Sequence, residues 1–224
     1  MRYLGLGLLA ALAGCATHRV VPDDALAPDV IQPAGAPPLV RVGEPRGLAV
    51  AREAEDFLQN DRRLVRRDCS GLVESVFQRL GLMVPEADDM GLHSSVASTY
   101  HALELDHALY VDHPLPGDLA FFDDTYDRNH NGRLDDPLTH VAIVVSSEED
   151  GTLTLVHYGG HGISSFHMNL SHVHQARDGR GKRVNDVLRP RKRRDSSDTR
   201  HLASELFVAF GRAAEVKPEL ATAP

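Results

Sequence analysis

Asp68-Cys69-Ser70-Gly71-Leu72-Val73-Glu74-Ser75-Val76-Phe77-Gln78-Arg79-Leu80 sets a single thiol at the head of an amphipathic segment. Leu72, Val73, Val76, Phe77 and Leu80 recur at i, i+1, i+4, i+5 and i+8, one buried helical stripe, and Asp68 is a natural N-cap. The chain turns at Gly81. Unpaired N–H groups and the positive end of the helix dipole favour negative charge, so the Cys69 pKa is expected below the free value of about 8.5. A cysteine so placed is a candidate nucleophile. Its alternative role is that of a small buried apolar residue.

Two further segments extend the pattern. Pro114-Leu115-Pro116-Gly117-Asp118-Leu119-Ala120-Phe121-Phe122 reads as a turn feeding a buried strand. Thr139-His140-Val141-Ala142-Ile143-Val144-Val145 places a histidine at the mouth of another. This order, over roughly residues 60 to 170, closely resembles the NlpC family of cell-wall cysteine peptidases. The resemblance implies an α+β, papain-like fold with the nucleophile on a helix N-terminus packed against a central antiparallel sheet. It also implies Cys69 as nucleophile, His140 as base, and a polar residue on the following strand that orients the base.

Val141 to Ser147 and Thr152 to Val156 are strand-like, with Glu148-Glu149-Asp150-Gly151 as the turn signal between them. Centred between Glu148 and Glu149, the hairpin sets His140 opposite His157; centred on Asp150-Gly151, it sets His140 opposite His161. Both registers keep His157 on the face of His140, because an even shift preserves the face. An orienting partner must accept a hydrogen bond from the second ring nitrogen of the base. The family resemblance also favours His157, in the context Leu155-Val156-His157, and His161 is the alternative.

The chain departs from the family before the cysteine. Where members carry a Tyr-x-Trp/Phe-Gly-Gly segment, this chain has Asn60-Asp61-Arg62-Arg63-Leu64-Val65-Arg66-Arg67, and it contains no tryptophan. Arg66 and Arg67 read either as a solvated basic turn or as partners for a substrate carboxylate.

The N-terminus reads as an export signal. Met1-Arg2, the apolar run Leu4 to Leu12 and the small pair Ala13-Gly14 form a segment too short to span a bilayer. Leu12-Ala13-Gly14-Cys15 resembles a bacterial lipobox, which implies cleavage after residue 14, lipidation of Cys15 by fatty acyl chains such as palmitate, and stable membrane attachment. Ala16 at the next position implies sorting to the outer membrane, facing the periplasm. The expected organisation is therefore a signal peptide over 1–14, a lipidated cysteine and Pro/Ala-rich tether over 15–43, the peptidase domain over 44–195, and a C-terminal helix and tail over 196–224. The tether carries Pro22, Pro28, Pro33, Pro37 and Pro38 and few large apolar residues. With Cys15 lipidated, Cys69 has no disulfide partner, which in an exported protein points to reactivity. A net charge of −8 makes nucleic acid a poor partner.

Helices are expected over 48–58, 96–105 and 202–213. Asp127-Arg128-Asn129-His130-Asn131-Gly132-Arg133-Leu134-Asp135-Asp136 follows the first part of an EF-hand-type calcium loop, with Leu138 where the closing Glu belongs. Asp127, Asn129 and Asn131 would be ligands of a structural calcium, with Asp135 or Asp136 closing the shell; the alternative is an acidic hairpin without metal. His167, His172 and His174 match no standard zinc spacing. The basic run Arg189 to Arg194 reads as a solvated linker.

These readings converge on a cell-wall endopeptidase that cleaves peptidoglycan stem peptides through Cys69, His140 and His157 and a thioacyl intermediate, with no cofactor required. Two alternatives keep the fold: a catalytically silent lipoprotein that binds cell-wall peptides, and a thiol acyltransferase or amidase using the same residues.

Overall fold

The computed structural model describes residues 45–60, 62–87, 94–193 and 195–215. The expected leader over 1–14, Cys15 and the expected tether lie outside the described residues. Helix α1 (Arg46–Asn60) buries Ala49, Val50, Ala51, Ala54 and Phe57 along one stripe. Helix α2 (Cys69–Arg79) begins as its sequence predicts, with Asp68 accepting from the Gly71 N–H at 2.7 Å. Ser94 caps α3 (Ser95–Leu105) in the same way, through the Ala97 N–H at 3.2 Å. The helices expected over 48–58 and 96–105 are thus present, slightly longer.

Six antiparallel strands form one sheet: β1 (Leu109–Tyr110), β2 (Leu119–Phe122), β3 (His140–Ser147), β4 (Leu153–Gly159), β5 (Gly162–Met168) and β6 (Phe207–Gly211). Their order is β1-β6-β2-β3-β4-β5. The architecture is a mixed α/β one built on an antiparallel sheet. Side-chain alternation along β3 divides its residues between two cores. Val141, Ile143 and Val145 pack with Val50, Phe57, Leu72 and Phe77 beneath α1 and α2. Ala142 and Val144 pack with Phe122, Phe166, Leu206 and Phe210 on the other face. Both faces of β2 are buried, which is why it reads as an unbroken apolar run.

The Pro-Gly-Asp turn is a structural clamp. Gly117 has φ +93°, and a Cβ there would strike the backbone of Gly47 in the first turn of α1. Asp118 accepts hydrogen bonds from the Leu115 N–H at 2.6 Å and from the Tyr110 hydroxyl. The turn thereby fixes α1 against the start of β2.

Two expectations are corrected at the C-terminal end. Only Ala203–Leu206 (α4) of the expected 202–213 helix is α-helical, and Phe207–Gly211 is strand β6, inserted between β1 and β2. The run Phe207-Val208-Ala209-Phe210 suits either period, and two open ladder edges decide for the strand. The folded unit therefore extends past residue 195. Arg189 is also no solvated linker residue: it is 5 % exposed and bound by Asp195 at 3.1 and 3.3 Å. Arg191 to Arg193 are exposed as expected.

Candidate active site

The hairpin follows neither of the two expected registers. β3 and β4 pair as Ser147↔Leu153 and Ser146↔Thr154, then as Val144↔Leu155 and Ile143↔Val156, with Val145 as an extra residue. The turn alone would set His157 opposite Ile143, on the face away from His140. The β-bulge at Val145 shifts the pairing by one and restores the face, leaving His140 and His157 as diagonal neighbours. Their rings meet edge to face, and His140 Nε2 lies 2.8 Å from His157 Nδ1. His157 Nε2 in turn lies 3.0 Å from the Ser164 hydroxyl, directly across the β4–β5 ladder. His161 is exposed in the turn between β4 and β5, away from this chain of contacts.

In the tautomer set that leaves His140 able to accept a proton at Nδ1, His140 Nε2–H donates to His157 Nδ1, and His157 Nε2–H donates to Ser164. His140 keeps Nδ1 uncommitted. Ser164 could not be picked from sequence, because its role exists only once the β4–β5 register is known. Gly159 is a second such residue, since a Cβ there would stand 3.0 Å from the His157 ring.

Burial between Phe122, 6.1 Å from the His140 ring, and Phe166, 4.8 Å from the His157 ring, depresses both imidazole pKa values. For His140 the neighbouring His157 adds to that effect. Both histidines are neutral at pH 7.

Cys69 sits half-buried at the first position of α2 and packs with the core beneath that helix. The β3–β4 ladder stops at Ile143↔Val156, and beyond it the Val141 N–H faces the Cys69 sulfur. Thiol and base thus meet the same short piece of β3, the sulfur at the Val141 N–H and the base one residue earlier at His140. The sulfur makes no hydrogen bond to the His140 ring. The expected lowering of the Cys69 pKa is corrected: loss of water at the buried sulfur raises it, and the Asp68 carboxylate raises it further. Favourable contacts from Val141 N–H and from Ser70 do not offset these. The residue that caps the helix opposes the dipole it caps.

In the candidate calcium loop, Asp127 accepts from the N–H groups of Asn131 and Gly132 at 3.1 and 3.0 Å, and Asn129 accepts from Asn131 N–H at 3.0 Å. Asp135 is held by the side-chain amides of Asn129 and Asn131. Asp136 instead turns inward, is buried, and accepts from Arg128 N–H. Among the described residues no three His, Cys, Asp or Glu side chains are grouped to hold a metal. His167 and His174 pair with Asp186 and Glu205.

Comparison of the chain with protein-family models, with curated proteins and with solved structures returns no match.

Proposed function

We propose that this chain is a membrane-anchored cysteine peptidase of the NlpC type, with a papain-like arrangement, that hydrolyses a peptide bond in the stem peptides of peptidoglycan. The observation that carries the reading is the His140–His157 hydrogen bond, set one residue from the strand N–H that faces the Cys69 sulfur. A neutral imidazole buried beside phenylalanines, with one nitrogen spent on an orienting partner and the other free, has the form of a general base.

Both reacting groups start uncharged. His140 Nδ1 takes the thiol proton as the sulfur attacks the carbonyl carbon, so the C–S bond forms while the carbonyl electrons move to oxygen. The first N–H groups of α2 are placed to stabilise that oxyanion. His140 then returns its proton to the departing amine, and the thioacyl enzyme remains. Water, deprotonated by His140, releases the acid and restores the thiol. The thiol–imidazole contact closes with substrate bound, as catalytic hydrogen bonds commonly tighten only in the Michaelis complex.

Incubation of the purified full chain with peptidoglycan in ¹⁸O-water, followed by mass spectrometry of soluble fragments, tests this. Hydrolysis releases new stem-peptide fragments carrying ¹⁸O in one carboxyl group. Unlabelled fragments joined to an amine acceptor would establish transfer instead. Release of nothing by folded protein would leave the binding role.

A further inference from the structure

An open cavity of about 600 Å³ lies beside the approach to α2. Phe57, Leu58 and Ile163 form its apolar side, and Arg63, Arg67 and His161 its polar rim. Arg67 stands two residues before Cys69; Ile163 adjoins Ser164, and Tyr158, which also lines the cavity, adjoins His157. The cavity therefore lies at the approach to Cys69, on the face of the sheet where Phe57, Leu58, Tyr158 and Ile163 pack with Cys69, and across the sheet from the His157 and Ser164 side chains.

The arginines of this segment divide into two sets. Arg62 is bound by Asp56, and Arg66 by Glu74 at 2.7 Å with Asp68 at 3.4 Å. Arg63 and Arg67 make neither an ion pair nor a hydrogen bond among the described residues. Two uncompensated guanidinium groups thus share one cavity in a chain whose net charge is −8. A planar guanidinium fork matches a carboxylate, and the apolar side matches the short carbon stem that carries one.

We propose that this cavity is a subsite for an acidic residue of the peptide on which Cys69 acts. The inference rests on the peptidase reading for the identity of the ligand and not for the binding itself. It replaces Arg66 by Arg63 as the companion of Arg67 in meeting a substrate carboxylate.

Calorimetric titration of the full chain in detergent micelles separates the two claims, because it needs no turnover. The probes are N-acetyl-Ala-Glu methylamide, its Gln counterpart, and inorganic phosphate. The glutamate probe is expected to bind at least about ten-fold more tightly than the glutamine probe, a preference lost in R63Q and R67Q and kept in part by R67K. Both arginines are exposed, so the variants are expected to melt like the parent. Equal binding of the two peptides, or an unchanged preference in both Gln variants, would overturn the subsite. Phosphate binding as tight as the glutamate peptide would overturn its assignment to peptide carboxylates. If the glutamate preference holds while peptidoglycan releases nothing, the peptidase reading fails and the subsite stands.

Discussion

Cys69 carries two opposed influences within one turn of helix. The N-terminal position favours a thiolate, yet burial and the capping carboxylate of Asp68 prevail and hold the thiol protonated near neutrality. On the peptidase reading, activation comes from His140 during attack. Iodoacetamide alkylation of Cys69 is predicted to accelerate with pH to a midpoint above that of a free cysteine thiol. A midpoint near 6 would instead reveal a standing thiolate–imidazolium pair. The same chemistry makes Ser164 a positioning residue. Ser164→Ala removes the hydroxyl that holds the far ring nitrogen of His157 and is predicted to lower kcat/KM about 3- to 10-fold, with Ser164→Thr restoring most of it. A loss of that size in Thr as well would point to packing alone.

At the scale of elements, the His pair depends on a mismatch cancelled by another mismatch: a turn of the wrong parity and a bulge that corrects it. The sequence carries the alternation of β3 and β4, and hence that His140 and His157 belong on one face. It does not carry the bulge, because Val145 is as apolar as its neighbours. The helices were legible through their stripes and caps, whereas Phe207–Gly211 was not, since its place is set by β1 and β2, nearly a hundred residues upstream. The buried pair also links folding to pH. Histidines with depressed folded-state pKa values bind protons more readily when unfolded, so their stabilising contribution is complete above about pH 6.5 and is lost as pH falls toward the folded-state values. The wild-type chain is predicted to lose up to about 1.4 kcal/mol per pH unit for each histidine between pH 6 and 4. Urea unfolding of His157→Gln across that range should show a shallower decline; a decline parallel to wild type would contradict the linkage.

At the scale of the whole described fold, one sheet separates two cores, and the candidate site forms where β3 runs beyond its ladder with β4 while still paired with β2. The core beneath α1 and α2 brings the thiol, and the aromatic core on the other face encloses the imidazoles. The second core is completed by residues beyond 200, among them Leu206 and the fully buried Phe210. A chain ending at Leu206 would lack β6 and expose the edges of β1 and β2. Circular dichroism is predicted to show no cooperative melting for it, and a sharp transition would contradict the placement of β6 between β1 and β2.

The central claim is that Cys69 becomes acylated with His140 as its base. Acid-quenching a digestion of peptidoglycan and weighing the Cys69-containing fragment of the protein tests it most directly. The account predicts a thioester-linked peptide on Cys69 that hydroxylamine removes, formed by wild type and absent from His140→Ala. Release of peptidoglycan fragments at the wild-type rate by Cys69→Ala, with no adduct in the parent, would contradict it.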